Sequence, residues 1–278
     1  MEKSVLIKGD NYDISGIFSY TETVDKMPAV ILCHGTGAQK NEVGDLFVIL
    51  AEKLLQRGIA SIRIDYAGCG DSKADQRELT FLGEVEDTKK AYQYICDLGC
   101  VDQKNIGILG FSQGARVVAE LLKEMQEFTC VASWSGACQN GRGVFEGWFQ
   151  EYYQEAEEHG YARIPMGWRD DLLLSKQWFD EIENTTPMDG LKKYTGPVLA
   201  VAGAADEIVP CSHTKEIMAE GTNEQSKMLI LPGADHIFNV LSGDKKMSEH
   251  VLDVTADWFA EVMGGAKISK INMNLSLT

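Results

Sequence analysis

The sequence predicts an α/β fold built on a mostly parallel, doubly wound sheet. Short, continuous apolar runs, such as residues 29–33 and 106–109, alternate with segments in which apolar residues recur at helical spacing. Continuous apolar runs are typical of strands that are buried on both faces, and repeated strand–helix alternation makes such strands parallel. With 278 residues, the chain is also long enough to bury the core that this architecture needs.

The elements follow one another in a regular order. Residues 4–20 alternate in polarity around a Gly-Asp-Asn turn, which predicts an antiparallel hairpin at the sheet edge. Gly58 is a plausible cap at the end of the first helix. Further strands are predicted at 29–33, 59–64, 106–109, 129–133, 197–202 and 227–231, and helices at 45–57, 81–98, directly after Ser112, and at 247–263. The polar, aperiodic tail after Met263 is expected to fray.

The pattern changes between residues 138 and 195. This stretch is rich in aromatic residues and shows no strand-like run, so we predict an inserted, mainly helical cap. The predicted organisation is a core of residues 1–137 and 196–278 with the cap at 138–195. Most of the aromatic side chains should pack within the cap. Some should face the reaction centre, because a cap lies over the C-terminal strand ends, where open α/β sheets bind ligands.

Composition and charge exclude several classes of function. A net charge of −16 argues against nucleic acid or an anionic membrane as a partner, because both require basic surface. No window approaches 18 apolar residues and the N-terminus has no apolar signal-peptide core, so neither a membrane span nor a secretory signal is predicted. Seven scattered cysteines, without a Cys-x-x-Cys pair, fit reduced thiols in the cytoplasm. A homodimer is compatible with the sequence.

A serine lies at a sharp strand-to-helix junction. The strand at 106–109 runs into Gly110-Phe111-Ser112-Gln113-Gly114, a Gly-x-Ser-x-Gly pattern that a helical segment follows at once. Such a turn strains the serine backbone, and the flanking glycines remove Cβ atoms that would collide. The helix also points its positive N-terminal end at the serine. A purely structural glycine-rich turn is the alternative, but this context favours a catalytic serine.

A serine hydroxyl needs a general base, and the base needs an orienting carboxylate. Of the five histidines, His236 follows a predicted strand and can reach the sheet edge that holds Ser112. The histidines at 34, 159, 213 and 250 are expected to be structural or solvated. Asp206 ends another strand and lies between Ser112 and His236 in the chain, whereas Asp235 and Glu207 should point elsewhere. The predicted triad is Ser112, Asp206 and His236.

A tetrahedral intermediate also needs N–H donors for its oxyanion. The Gln113 N–H begins a helix and is free to donate, and a second donor should come from His34-Gly35-Thr36-Gly37, most simply the Thr36 N–H. Taken alone, this tetrapeptide fits a loop that merely turns the chain equally well. Neither a dinucleotide fingerprint nor a P-loop follows the first parallel strand, and no metal-ligand cluster is evident. We therefore expect no cofactor and no metal.

With these residues identified, the chain resembles the α/β-hydrolase family over nearly its full length. Four motifs match in order: the loop at 34–37, the serine turn at 110–114, Gly203-Ala204-Ala205-Asp206 with Val209-Pro210, and the His236 loop. Residues 63–72 also resemble the loop after the second parallel strand of that family. Within the family the chain most resembles bacterial cinnamoyl (feruloyl) esterases, whose helical cap occupies the place of residues 138–195. The Thr36 position, often bulky in that subgroup, departs from it.

The resemblance implies an α/β-hydrolase fold and a serine carboxylesterase that acts through an acyl-enzyme on a small-molecule ester, with hydroxycinnamate esters as candidate substrates. A triad fixes the chemistry and not the leaving group, so a thioesterase, peptidase or lipase-like activity is the alternative among enzymes. A binding protein that kept the fold and lost turnover is the alternative from another class. Such proteins usually lack the nucleophile, the base or the oxyanion loop, and this sequence has all three.

Overall fold

The computed structural model describes residues 1–22, 26–220 and 223–264. The strands are β1 (Glu2–Lys8), β2 (Asp13–Ser19), β3 (Met27–Cys33), β4 (Ala60–Ile64), β5 (Val101–Phe111), β6 (Cys130–Trp134), β7 (Tyr161–Ile164), β8 (Leu172–Ser175), β9 (Val198–Gly203) and β10 (Lys227–Leu231). The helices are α1 (Leu46–Leu55), α2 (Phe81–Cys96), α3 (Gln113–Leu121), α4 (Glu146–His159), α5 (Lys176–Asn184), α6 (Pro187–Lys193), α7 (Ser212–Glu220) and α8 (Lys246–Met263).

Eight strands form one sheet in the order β1-β2-β4-β3-β5-β6-β9-β10. The first two strands form an antiparallel hairpin, β2 also pairs antiparallel with β4, and the remaining neighbours are parallel. The predicted edge hairpin and the mostly parallel sheet are both confirmed. Because parallel strands run in one direction, the loops that follow β3, β5, β9 and β10 all leave the sheet at the same edge.

Two apolar layers cover the two faces of the sheet. In β3, Ile31 belongs to the layer that contains α2 and α3, whereas Leu32 belongs to the layer that contains α1 and α8. Both side chains are fully buried. Successive side chains of a strand point to opposite faces, so a strand covered on both sides must be apolar at nearly every position. This requirement explains the continuous apolar runs and the doubly wound architecture.

Outside residues 138–195, the predicted elements are present and differ from the prediction mainly at their ends. The strand predicted at 106–109 is the end of the longer strand β5, which begins at Val101. Its first half carries Asp102, Gln103 and Lys104, so an apolar run does not reveal it. The tail predicted to fray lies outside the described residues from position 265 onward. Within the described ranges, no helix has the length and apolar character that crossing a bilayer requires.

Residues 138–195, called the insert below, connect β6 to β9, which are neighbours in the sheet. The insert contains the three helices α4, α5 and α6, and also an antiparallel pair formed by β7 and β8. The expectation that it has no strand is therefore wrong. Each of these strands has four residues and only two or three buried positions, which is too short for periodicity to reveal. The division into a core and a separate cap stays a prediction.

Candidate active site

Ser112 occupies the junction between β5 and α3 with a strained backbone, at φ 54° and ψ −117°. The glycines on either side permit this conformation. A Cβ atom on Gly110 would overlap the backbone of Gly114, and one on Gly114 would overlap the carbonyl of Cys33 at the end of β3. The Ser112 N–H donates to the Trp134 carbonyl at 2.8 Å, which ties the turn to β6. Close packing against two neighbouring strands thus presents the hydroxyl at the sheet edge.

His236 lies in the loop after β10 and reaches Ser112. Its Nε2 is 3.1 Å from Ser112 Oγ, and its Nδ1 is 2.8 Å from Asp206 Oδ2. The ring stacks on Phe111, with centroids 5.4 Å apart, and its side chain is only 12% exposed. The Ser135 hydroxyl donates to the His236 carbonyl, which fixes the loop. Both ring nitrogens are therefore engaged, and the imidazole has one well-defined orientation.

Asp206 lies in the turn after β9 and its carboxylate is fully buried. One oxygen faces His236, while the other accepts the backbone N–H groups of Ile208 and Val209 at 2.9 and 2.8 Å. These bonds fix the carboxylate and leave one oxygen for the imidazole. Glu207, beside it in the chain, is exposed.

The arrangement can activate a serine hydroxyl. A buried carboxylate that accepts a hydrogen bond from His236 Nδ1–H leaves Nε2 as the acceptor for the Ser112 proton. Three loops from separate strands thus bring together the residues predicted from the sequence. The neighbouring Asp235 points away, because one of its oxygens accepts the backbone N–H groups of Ile237 and Asn239.

The two residues predicted to supply the oxyanion donors are joined by their side chains. The Thr36 hydroxyl donates to Gln113 Oε1 at 2.6 Å, and Gln113 Nε2 in turn donates to the buried carboxyl of Glu84 on α2. Neither the Thr36 N–H nor the Gln113 N–H donates to a described residue, so both remain available. The structure therefore locks the loop at 34–37 to the first turn of α3 through side chains whose involvement the sequence did not indicate.

Glu42 is a buried carboxyl group that sequence reasoning missed. Its Oε1 accepts the Gly35 N–H at 2.5 Å, and its Oε2 accepts the Val43 N–H at 2.9 Å. Burial raises the pKa of Glu42 to about 7, although the two N–H donors and the nearby His236 oppose that rise. A Cβ atom on Gly35 would lie 3.4 Å from both Glu42 Oε1 and Ser112 Cβ, so the carboxyl group is close to the reaction centre.

His34 is buried between two loops and has a structural role. Its Nδ1–H donates to the Gly35 carbonyl at 2.8 Å, and its Nε2 accepts the Tyr66 N–H at 3.3 Å. Burial lowers the pKa of His34 to about 4, so the ring is neutral near pH 7. Both nitrogens are occupied, and His34 cannot serve as the base for Ser112.

The aromatic side chains of the insert pack mainly against one another. They form a cluster of stacked and edge-on rings that contains Phe145, Trp148, Phe149, Tyr153, Trp178 and Phe179. Trp168, on the loop between β7 and β8, is 63% exposed instead. The expectation that some of these rings face Ser112 stays a prediction.

Comparison with known proteins identifies the family. A sequence profile described as the prolyl oligopeptidase family matches residues 50–266, which include Ser112, Asp206 and His236. The chain belongs to the prolyl oligopeptidase family. Members of this family are serine hydrolases with the α/β-hydrolase fold.

Two relatives of this member of the prolyl oligopeptidase family are uncharacterized proteins. An uncharacterized 31.7 kDa protein of the traX–finO intergenic region of Escherichia coli is 30% identical over 108 residues, which are 39% of this chain and 37% of that protein. An uncharacterized protein of Mycobacterium tuberculosis is 23% identical over 209 residues, 75% of this chain and 63% of that protein. The chain thus spans less than two thirds of these relatives.

Solved structures confirm the predicted α/β-hydrolase fold of this prolyl oligopeptidase family member. Est1E from Butyrivibrio proteoclasticus with ferulic acid bound has a TM-score of 0.74 at 21% identity, over 94% of this chain and 99% of that chain. The α/β-hydrolase GrgF from Penicillium sp. sh18 has a TM-score of 0.74 at 15% identity, over 95% of this chain and 99% of that chain. At these identities the likeness shows the fold alone.

Proposed function

We propose that the protein is a serine carboxylic-ester hydrolase that acts on a small-molecule ester through an acyl-enzyme, with Ser112 as nucleophile, His236 as base and Asp206 as orienting acid. The observation that carries this proposal is the continuous row of contacts from Ser112 Oγ to His236 Nε2 at 3.1 Å, and from His236 Nδ1 to Asp206 Oδ2 at 2.8 Å. The free N–H groups of Thr36 and Gln113 are the proposed oxyanion donors.

The proposed reaction has two halves. As Ser112 Oγ bonds to the ester carbonyl carbon, its proton passes to His236 Nε2 and the carbonyl oxygen becomes an oxyanion held by the two N–H donors. Collapse of this intermediate breaks the bond to the alcohol, which leaves with the proton from His236. Water then attacks the acyl-enzyme, gives a proton to His236, and the acid is released as the proton returns to Ser112. Asp206 stabilises the imidazolium in both halves.

We further propose hydroxycinnamate esters as substrates. Two features support this choice: an insert rich in aromatic side chains, and the same fold in Est1E, whose structure holds ferulic acid. A peptidase is the second candidate, because the matching family takes its name from an oligopeptidase. Either substrate class would use the same triad, so the leaving group must be determined by experiment.

A hydrolysis panel on wild type and Ser112→Ala tests the proposal. The panel contains p-nitrophenyl esters from acetate to palmitate, methyl ferulate, methyl p-coumarate, and proline-containing peptide p-nitroanilides. We expect Ser112→Ala to lose at least about 10³-fold in kcat, since loss of a triad member leaves only binding and oxyanion stabilisation. Circular dichroism and thermal unfolding of the variant serve as the folding control.

The first two outcomes distinguish the substrate classes, and the third tests the nucleophile. Preference for the hydroxycinnamates, lost in Ser112→Ala, supports the esterase and its substrates. If the protein prefers the peptide anilides, it is a peptidase that uses the same triad. Ester hydrolysis that survives in folded Ser112→Ala contradicts the proposed nucleophile.

A further inference from the structure

One arginine on the insert has an unusual environment. Five of the seven arginines form ion pairs with carboxylates: Arg57, Arg63, Arg77, Arg142 and Arg163. Arg116 is fully buried and donates to backbone carbonyls and to a threonine hydroxyl. Arg169 forms no ion pair with any described carboxylate, in a chain with 42 acidic residues and a net charge of −16. Among the described residues, no carboxylate is therefore in direct contact with its guanidinium.

Arg169 lies against the proposed oxyanion loop. It belongs to the segment between β7 and β8, and its Nη1 donates to the Gly37 carbonyl, one residue after Thr36. A Cβ atom on Gly37 would lie 3.2 Å from that nitrogen. The guanidinium also faces Cys69 in the loop after β4: burial raises the pKa of that thiol to about 12, and the charge of Arg169 opposes the rise. The insert thus places the Arg169 guanidinium beside the loop that contains the proposed oxyanion donor.

The guanidinium keeps hydrogen-bonding capacity. Of its five N–H donors, one on Nε donates to the Asp170 carbonyl and one on Nη1 donates to the Gly37 carbonyl. The side chain also makes a hydrogen bond to the Cys69 thiol, which leaves two donors for a ligand. The side chain is half-buried, which strengthens its interaction with an anion compared with a fully solvated arginine. A guanidinium that keeps unused N–H donors can donate to the oxygens of a carboxylate.

We infer that Arg169 is a substrate-binding residue that recognises a carboxylate on the ester substrate. The preferred ester would then carry one ionised acid group in addition to the ester bond that Ser112 attacks. In a hydroxycinnamate ester this group would lie in the alcohol part, whereas a carboxylate in the acyl part would replace the hydroxycinnamates as substrates. This inference rests on the proposed esterase activity and narrows its substrate class. The carboxylate can lie in the acyl part or in the alcohol part of the ester, because the contact with Gly37 places the cation beside the oxyanion loop and does not distinguish the two parts.

Matched pairs of esters test the inference and distinguish the two sources. For the acyl part, the pair is mono-p-nitrophenyl adipate and p-nitrophenyl hexanoate. For the alcohol part, the pair is 3-(butanoyloxy)benzoate and phenyl butanoate. The quantity measured is the ratio of kcat/KM for the carboxylate ester to kcat/KM for its neutral partner. We expect this ratio to fall about 10- to 100-fold in Arg169→Gln for one of the pairs, the range that a charged hydrogen bond supports.

Two further variants sharpen the experiment. Arg169→Lys keeps the charge without the planar fork and should give an intermediate ratio. Arg163→Gln removes the other arginine of the same hairpin, which is exposed and paired with Asp171, and should leave the ratio unchanged. An equal loss for both members of a pair in Arg169→Gln would overturn the inference, because Arg169 would then only hold the Gly37 carbonyl in place.

If the proposed esterase activity is wrong, no ester will be hydrolysed in a way that depends on Ser112, and this result can be recognised separately. In that case, calorimetric titration of the Ser112→Ala protein with monomethyl adipate still tests the site without turnover. We expect binding at least tenfold tighter than that of dimethyl adipate, and loss of this difference when Arg169→Gln is added. If the Ser112→Ala protein with Arg169 intact binds the two esters equally well, the inference is overturned.

Discussion

At the scale of single residues, the reaction centre depends on backbone conformations that few residues adopt. Ser112 has φ 54°, and Glu42 has φ 62° with ψ 172°, a region that is otherwise almost restricted to glycine. Strain of this kind persists only where surrounding contacts hold it. At Glu42 those contacts are the two hydrogen bonds from the N–H groups of Gly35 and Val43. The strained residue therefore holds the loop that lies beside Ser112.

Replacement of Glu42 by glutamine should weaken both the fold and catalysis. Each carboxylate oxygen accepts one N–H, whereas glutamine offers a single oxygen, so one buried N–H loses its acceptor. We expect the free energy of unfolding to fall by about 1–3 kcal/mol. We also expect kcat to fall by about tenfold with a smaller change in KM, because the Gly35–Thr36 peptide is less firmly placed. Urea unfolding and steady-state kinetics measure the two effects.

The matched control for this prediction is Asp45→Asn, the same chemical change at an exposed position three residues later. Asparagine tolerates the left-handed conformation that Asp45 adopts at φ 58°. Asp45→Asn should change neither quantity. A Glu42→Gln protein with wild-type stability and kcat would show that the carboxylate is dispensable for the loop.

At the scale of elements, helix α3 connects the reaction centre to the insert. The helix begins directly after Ser112, and one turn later Arg116 donates to the carbonyls of Gln139, Gly141 and Ile182. These acceptors lie near the start of the insert and at the end of α5. A single buried side chain thus binds two distant segments of the insert to the helix that presents the proposed nucleophile.

Arg116→Met should destabilise the protein strongly. Methionine fills much of the same volume but removes the donor from the part-buried carbonyls of Gln139 and Gly141 and one of the two donors to the buried Ile182 carbonyl. Each lost hydrogen bond costs about 1–3 kcal/mol, so a loss of about 3 kcal/mol or more is expected. Burial lowers the pKa of Arg116 to about 10, so the group is charged at pH 7 and donates fully. Arg142→Met, which removes an exposed ion pair in the insert, is the control and should cost at most about 1 kcal/mol. Equal denaturation midpoints for both variants would contradict this role.

The sequence predicted those features that local pattern determines. The Gly-x-Ser-x-Gly turn, the strand runs and the chain order of Ser112, Asp206 and His236 are local or ordered along the chain, and the structure brings these three residues together. The β7–β8 pair could not be predicted, because its strands are too short for periodicity. The contacts of Arg116 and Arg169 join residues far apart in the chain and carry no local signature, so only the folded structure reveals them.

At the scale of the whole molecule, buried carboxyl groups make stability depend on pH. Burial raises the pKa of Asp87 and of Glu42 to about 7, and burial raises the pKa of Glu84 well above its usual range. A carboxyl group whose pKa is raised by folding contributes its full stabilisation at pH values below its pKa in the unfolded chain. That stabilisation is lost as the pH rises toward the folded-state value. The protein should therefore become less stable as the pH rises from about 4.5 to about 7, and the net charge of −16 acts in the same direction.

Glu84→Gln should reduce this pH dependence. In the unfolded chain Glu84 releases its proton near pH 4.5, whereas in the folded chain burial raises the pKa of Glu84 well above that value, although the hydrogen bond from Gln113 opposes the rise. Between these two pKa values, each unit of rising pH lowers the free energy of unfolding of the wild type by about 1.4 kcal/mol. Glu84→Gln lacks this loss, so its stability relative to wild type should increase by up to about 1.4 kcal/mol per pH unit. The measurement is the free energy of unfolding in urea at pH 5, 6, 7 and 8. Glu52→Gln, at an exposed position of α1, should differ from wild type by a constant amount across the series. A constant difference for Glu84→Gln as well would show that Glu84 is ionised in the folded protein.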